Sequence, residues 1–204
     1  MNDKVKIAVF VSGGGTNLQA LIDAQAAGLL TSGELALVVS SRPDAYALER
    51  AAKAGISGVV ADRRALGSQD AFEEAISKAL ETNGIEMIVL AGFMSILSPA
   101  FTAKWPERII NVHPALIPSF CGKGFYGLRV HEAALQYGVK VTGATVHYVN
   151  EVPDGGRIIL QKAVEIEDGD TPEILQKRVM EQAEWKLLPR AAELVAQRIR
   201  AERK

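Results

Sequence analysis

Three short stretches of the sequence hold residue types whose spacing could do chemistry. The first is Ser12-Gly13-Gly14-Gly15-Thr16-Asn17, set between an apolar run and leucines at helical spacing. Glycines let a backbone approach an anion closely, and a helix N-terminus offers free N–H groups and a partial positive charge. No Gly-Lys-Ser/Thr follows, so the P-loop pattern fails. The dinucleotide pattern is half present, because Leu18 stands where a third glycine is required. The following strand ends in Ser40-Ser41, with no acidic residue for a dinucleotide ribose. The stretch is expected to bind a phosphate but not a dinucleotide; the plainer alternative is a tight turn that binds nothing.

The second stretch is Asn111-Val112-His113-Pro114. Residues two apart on a strand share a face, so Asn111 and His113 project together. An amide donor beside an imidazole can stabilise an oxyanion and move a proton. Taken alone, the pair reads better as a core Asn and His satisfied by backbone. The third is Asp154, in the turn Pro153-Asp154-Gly155-Gly156, where an aspartate is commonplace. It gains meaning only if the chain returns it to His113, where a carboxylate would favour the imidazolium and orient the ring. The remaining candidates read as structural. His131 lacks an HExxH partner, His147 lies within a strand-like run, and Trp105 and Trp185 read as packing residues. Cys121 is the only thiol and sits in a glycine-rich loop, so metal binding has little support. Ser12 is not in a Gly-x-Ser-x-Gly elbow.

These residues need elements to position them. Apolar runs bounded by turn residues predict strands over 6–11, 35–41, 58–61, 87–93 and 108–113. Helical patterns lie between them: Leu18, Leu21, Ile22 and Leu29, then 45–54, then a helix opened by Asp70 and Glu73 as a capping box, then a short helix at Ser98-Pro99. The alternation predicts an α/β fold, a Rossmann-like, doubly wound, mostly parallel sheet. The chain then changes character. A long loop at 114–126 precedes a helix over Leu128–Tyr137. Strand-like runs at 141–149 and 157–165 flank a short turn-rich link, which predicts an antiparallel hairpin at one edge. Asp170-Thr171-Pro172 opens a long C-terminal helix, with Leu175, Val179 and Trp185 inward and Pro189 expected to kink or divide it.

Bulk numbers exclude several classes. With 204 residues, 48% hydrophobic and 23% charged, the chain is expected to form one globular domain over 1–204 rather than a disordered segment. A net charge of −1 argues against a nucleic-acid partner. Arg190, Arg198, Arg200, Arg203 and Lys204 alternate with Glu193 and Glu202, the pattern of a solvated helix face. No apolar run approaches a membrane span, and the first residues lack a leader pattern. With a single cysteine, the expected location is the cytoplasm. A monomer and a homodimer both fit.

The order of motifs then adds a resemblance. Gly13-Gly14-Gly15-Thr16-Asn17, Leu90-Ala91-Gly92-Phe93-Met94, Asn111-Val112-His113-Pro114-Ala115-Leu116-Ile117-Pro118, Gly143-Ala144-Thr145-Val146-His147-Tyr148-Val149 and Asp154-Gly155-Gly156 resemble the phosphoribosylglycinamide formyltransferase family over essentially the whole chain. Each motif is weak alone; their order and spacing are specific. The resemblance implies the formyltransferase fold and transfer of a formyl group from the co-substrate 10-formyltetrahydrofolate to the amine of glycinamide ribonucleotide, in purine biosynthesis, without a metal. It implies catalytic roles for Asn111, His113 and Asp154, with Asp154 holding His113 charged. The backbone of Gly15, Thr16 and Asn17 would hold the substrate phosphate, and Glu184 the ribose. The folate pterin would lie against Leu90, Ala91, Gly92, Phe93 and Met94 and the loop of Asn150, Glu151, Val152, Pro153 and Asp154. Ile117-Pro118 resembles the family's cis-proline turn.

Some positions depart from the family pattern. Ala115 replaces a common Ser, Asn150 a common Asp, and Trp185 a common His. Gln69 stands where many relatives carry a folate-contacting arginine, with Arg63 or Arg64 as the candidate substitutes. The glycines of Cys121-Gly122-Lys123-Gly124-Phe125-Tyr126-Gly127 are expected to make a mobile lid. Formyltetrahydrofolate deformylases, amino-sugar formyltransferases and methionyl-tRNA formyltransferases are the alternatives of related chemistry. A non-enzymatic nucleotide-binding module is the alternative of a different class, and it would need no convergence of Asn111, His113 and Asp154.

Overall fold

The computed structural model describes residues 3–203; Met1, Asn2 and Lys204 lie outside it. The elements run β1 (Val5–Val11), α1 (Thr16–Ala26), β2 (Gly33–Ser40), α2 (Tyr46–Lys53), β3 (Ser57–Val60), α3 (Arg63–Leu66), α4 (Gln69–Thr82), β4 (Met87–Leu90), α5 (Pro99–Thr102), β5 (Ile109–His113), α6 (Leu128–Tyr137), β6 (Val141–Tyr148), β7 (Ile158–Glu165), α7 (Pro172–Val179), a π turn (Met180–Glu184) and α8 (Trp185–Glu202). The seven strands lie in the order β3-β2-β1-β4-β5-β6-β7. Pairing is parallel from β3 through β5 and antiparallel across β5·β6 and β6·β7.

β1 is apolar from Ile7 to Val11 because it is a central strand covered on both faces. Its residues alternate between two cores. Ile7, Val9 and Val11 join Leu18 and Leu21 of α1 and Leu188, Val195 and Ile199 of α8. Ala8 and Phe10 join Phe72, Ile76 and Leu80 of α4. The strand order reverses between β1 and β4. In doubly wound sheets ligands bind at such a switch point, at the carboxyl ends of the strands. The two loops that leave β1 and β4 there are Ser12–Gly15 and the segment that begins at Ala91.

Four expectations need correction. β4 ends at Leu90 rather than at 93: Ala91 N–H still donates to the Phe10 carbonyl (2.9 Å), and then Gly92, at φ 75°, turns the chain out of the sheet. α4 is capped not by Asp70 but by Ser68, whose hydroxyl accepts from Ala71 N–H (3.1 Å). Glu73 instead accepts from the N–H and hydroxyl of Ser98, both at 2.6 Å, and so ties α4 to α5. Pro189 lies buried inside a continuous α8; the break is the π turn just before Trp185, and Pro189 forgoes only one ladder bond near the helix start. The basic C-terminal stretch is a solvated face only in part: Arg190 is exposed, but three arginines are tied to other elements. Arg198 pairs with Glu107, Arg200 with Asp3, and Arg203 with Glu86.

The edge hairpin β6–β7 carries the link with Asp154, and Gly156 lets it close. A Cβ at Gly156 would lie 1.8 Å from the Tyr148 carbonyl oxygen. Gly156→Ala is expected to destabilise the protein by about 1–3 kcal/mol. That lowers Tm by roughly 2–10 °C for a chain of this size. Calorimetry reads the shift, and an unchanged Tm would contradict the close approach.

Candidate active site

The glycine-rich loop is built to bare its backbone N–H groups. Its carbonyls are taken by α2: Ala47 N–H donates to the Gly13 carbonyl (3.1 Å), and Arg50 Nε donates to that of Gly14 (2.8 Å). Gly15 then turns left-handed (φ 72°) into α1, whose N-terminus has no side-chain cap. A Cβ on Gly15 would meet Ala47 Cβ at 2.6 Å, so the glycine is required by both conformation and space. The loop is also tied to the neighbouring one. Ser12 Oγ lies 2.6 Å from Ser41 Oγ and accepts from Met94 N–H at 2.8 Å.

Asn17 does more than offer its backbone. Its Nδ2 donates to Glu184 Oε2 at 2.7 Å, while its buried Oδ1 has no partner. Glu184 is held there by the π turn, which rotates the helix relative to a plain α-helical course. Burial, partly offset by the Asn17 hydrogen bond, pushes the Glu184 carboxyl up to about 7.

β5 brings Asn111 and His113 to one side, and the hairpin link returns Asp154 to them. Asp154 takes a left-handed backbone (φ 55°). Its Oδ2 lies 3.6 Å from His113 Nδ1 and accepts from Gly122 N–H at 2.8 Å. Its Oδ1 lies 3.5 Å from His147 Nε2. Burial pushes the Asp154 carboxyl up, but its neighbours, the two imidazoles and the Gly122 N–H, outweigh it and hold it below its ordinary value.

His113 departs from expectation. Its Nε2 lies 2.8 Å from the Phe120 carbonyl, which can only accept, so Nε2 bears the proton. Burial lowers its proton affinity by more than Asp154 and the Phe120 carbonyl raise it. Asp154 therefore does not hold His113 charged in this state. The 3.6 Å separation agrees, since it exceeds hydrogen-bond length and suits a bare Nδ1. Neutral His113 is a base awaiting a proton.

Two histidines read as structural lie within electrostatic reach of His113. His147 is directly across from Asn111 in the β5·β6 register and lies 3.3 Å from its Nδ2. His131 is fully buried, with both ring nitrogens unpartnered; burial and then the charge of His113 push its pKa down to about 4. Strand pairing carries the first signal and a helix face the second, and neither is visible as local spacing.

The strip after β4 presents backbone. Ala91 is buried, and Phe93 turns into the core, 5.2 Å from Phe10 and 6.4 Å from Phe72 by ring centroids. Met94 is 56% exposed, and Val152 in the hairpin link is 53% exposed, so an apolar side chain is open on each segment. Asn150, Glu151 and Pro153 are exposed as well. Gln69 spends its amide donors on Glu73 (2.6 Å) and the Ile96 carbonyl (3.1 Å), and Arg63 reaches its Oε1 at 3.3 Å. Ile117-Pro118 is cis. A cavity of about 770 Å³ lies elsewhere: between α1 and α8, touching the glycine-rich loop only through Thr16. Among the described residues, no helix is long and apolar enough to cross a membrane, and no cluster of three His, Cys, Asp or Glu is arranged to hold a metal ion.

Glu184 sets a pH dependence whose sign follows from its raised value. Between the ordinary 4.5 and about 7 the folded protein keeps a proton that the unfolded chain releases. Stability from this group is therefore full below 4.5 and is lost as pH rises through 7, at up to ~1.4 kcal/mol per pH unit. Glu184→Gln is expected to remove that slope. Denaturation curves of both proteins from pH 4.5 to 8 measure it, and parallel pH profiles would contradict it.

Comparison with known proteins places this geometry. The formyl transferase family matches residues 5–192. The phosphoribosylglycinamide formyltransferase of Haemophilus influenzae is 40% identical over 90% of this chain and 84% of its own length. The trifunctional purine biosynthetic protein adenosine-3 of Gallus gallus is 45% identical over 95% of this chain, which spans only 19% of that larger protein. The structure of glycinamide ribonucleotide transformylase 1 from Symbiobacterium toebii superposes with a TM-score of 0.89 at 40% identity, covering 97% of this chain and 90% of the other. The phosphoribosylglycinamide formyltransferase of Brucella melitensis gives 0.86 at 40% identity, covering 95% and 96%. A match across both cores, the switch-point loops and the edge hairpin leaves one conclusion: the chain belongs to the formyl transferase family, with the phosphoribosylglycinamide formyltransferases as its full-length relatives.

Proposed function

We propose that this enzyme transfers a formyl group from 10-formyltetrahydrofolate to the amine of glycinamide ribonucleotide. The observation that carries the reading is one of adjacency. A loop with bared N–H groups, a buried Asn17–Glu184 pair and the Asn111, His113 and Asp154 centre all open around the switch point, and Ser12 ties the first of them to the strip after β4 through Met94 N–H. A phosphate suits the N–H groups of Gly15, Thr16 and Asn17 at the start of α1. Ribose hydroxyls suit the next step inward, because they can donate to the unpartnered Asn17 Oδ1 and to Glu184.

The folate co-substrate supplies the activated formyl carbon. Its flat heterocycle fits the backbone of Leu90 to Met94, with Gly92 keeping that edge free of a side chain and Met94 and Val152 supplying apolar cover. Asn150, Glu151 and Pro153 form the rest of that wall. Arg63, held by Gln69, is the cation that meets the donor's acidic tail.

The residues then divide the work. Asn111 donates its free amide N–H to the formyl oxygen as negative charge develops there. Neutral His113 takes the proton of the attacking amine, and the imidazolium, stabilised by Asp154, returns a proton to the folate nitrogen as that nitrogen's bond to the formyl carbon breaks. For Nε2 to be that base the ring must leave the Phe120 carbonyl and carry its own proton on Nδ1, beside Asp154, so the 121–127 loop moves as a lid when substrates bind. The cytoplasm, where a lone thiol stays reduced, suits Cys121.

A spectrophotometric folate assay with and without the ribonucleotide tests the reading. Turnover is expected only with the ribonucleotide. His113→Ala and Asp154→Asn are expected to lower kcat by about 100- to 1,000-fold. Equal turnover without any amine would assign the chain to hydrolysis of the donor instead.

A further inference from the structure

His147 has a geometry that the acid-base reading does not use. It is 1% exposed and lies opposite Asn111 across the β5·β6 pair. Its Nδ1 is 2.8 Å from the Tyr148 carbonyl, which can only accept, so Nδ1 carries the proton. In the neutral ring the other nitrogen, Nε2, is then a bare acceptor. The group that meets it is Asn111 Nδ2, at 3.3 Å.

A carboxamide is ambiguous by itself, because its oxygen and nitrogen can exchange places by a half-turn. An acceptor-only neighbour removes the ambiguity. With Nε2 bare, the half-turned amide would set its oxygen against a second lone pair, so the nitrogen must face His147. One Nδ2–H is spent there. The second diverges from it by the amide's own trigonal geometry, and Asn111 has no other side-chain hydrogen bond within the described residues.

We propose that His147 is a positioning residue that sets the amide orientation of Asn111 and so aims its free N–H at the formyl oxygen. This rests on formyl transfer being the reaction. The Tyr148 carbonyl is thereby the first member of a relay, Tyr148–His147–Asn111, that ends where charge develops. The relay also explains why a buried imidazole occupies this strand position rather than an aliphatic side chain. The other polar group beside Nε2 is Asp154 Oδ1, at 3.5 Å. If the ring took a second proton, Nε2–H would turn to that carboxylate and the Asn111 amide would lose its guide.

The test is a cycle of variants assayed on the whole enzyme with both substrates. His147→Phe removes the acceptor and keeps the ring; His147→Gln restores an acceptor oxygen. His147→Phe is expected to lower kcat by about 10- to 100-fold, with KM for both substrates little changed. His147→Gln is expected to recover part of that loss. In an Asn111→Ala background, His147→Phe is expected to add less than about 2-fold, because the residue acts through Asn111. Equal fold losses in both backgrounds, or an unchanged kcat in a folded His147→Phe protein, would overturn the proposal. A wild-type enzyme that does not transfer formyl at all would instead overturn the reaction it rests on. A measurement on the unaltered protein serves if His147→Phe does not fold. The 15N shifts of His147 are expected to show protonated Nδ1 and bare Nε2 near neutral pH, and a proton on Nε2 would overturn the relay.

Discussion

The structure turns on the carboxylate of Asp154. It comes from an edge hairpin, yet lies within 3.6 Å of two histidines on two different strands and accepts the N–H of Gly122 from the 121–127 loop. A single partly buried anion thus holds together β5, β6, the hairpin link and the loop above them. Such an anion is tolerable in a low-dielectric place only when donors and nascent cations surround it. That requirement ties the left-handed turn at Asp154, the tight approach at Gly156 and the glycine at 122 to one another. It also leaves the chemistry poised. Burial keeps His113 neutral, while Asp154 stands ready to stabilise it once a proton arrives.

The other half of the site follows from sheet topology. A reversal between β1 and β4 opens a crevice, and the loops that flank it take different tasks. One bares N–H groups because α2 occupies its carbonyls; the other bares a backbone edge because Gly92 turns the chain outward. Ser12 joins them through Ser41 and Met94. The two binding surfaces are therefore fixed relative to each other by hydrogen bonds rather than by chance proximity.

Much of this was legible as local pattern. The apolar runs of the parallel strands, the edge hairpin and the shared face of Asn111 and His113 all follow from periodicity. What escaped was non-local. His147 became part of the site through cross-strand register, and Asn17 met Glu184 across 167 positions through a π turn that has no sequence spacing of its own. Proton affinities escaped for the same reason. Pairing with Asp154 points toward a charged His113, but burial is a property of the whole packed core, and it prevails. Glu73 and Pro189 misled in the opposite way, because each carries a strong local signal that a tertiary contact or an upstream break overrides.

The account stands on the direct passage of a formyl group to an amine at the His113 centre. The most direct measurement uses a donor carrying an isotopic label in its formyl carbon, with glycinamide ribonucleotide present, and follows where the label goes. The account predicts label in the formamide of the ribonucleotide, mole for mole with the folate released. Label recovered as free formate, at the same rate with and without the ribonucleotide, would contradict it.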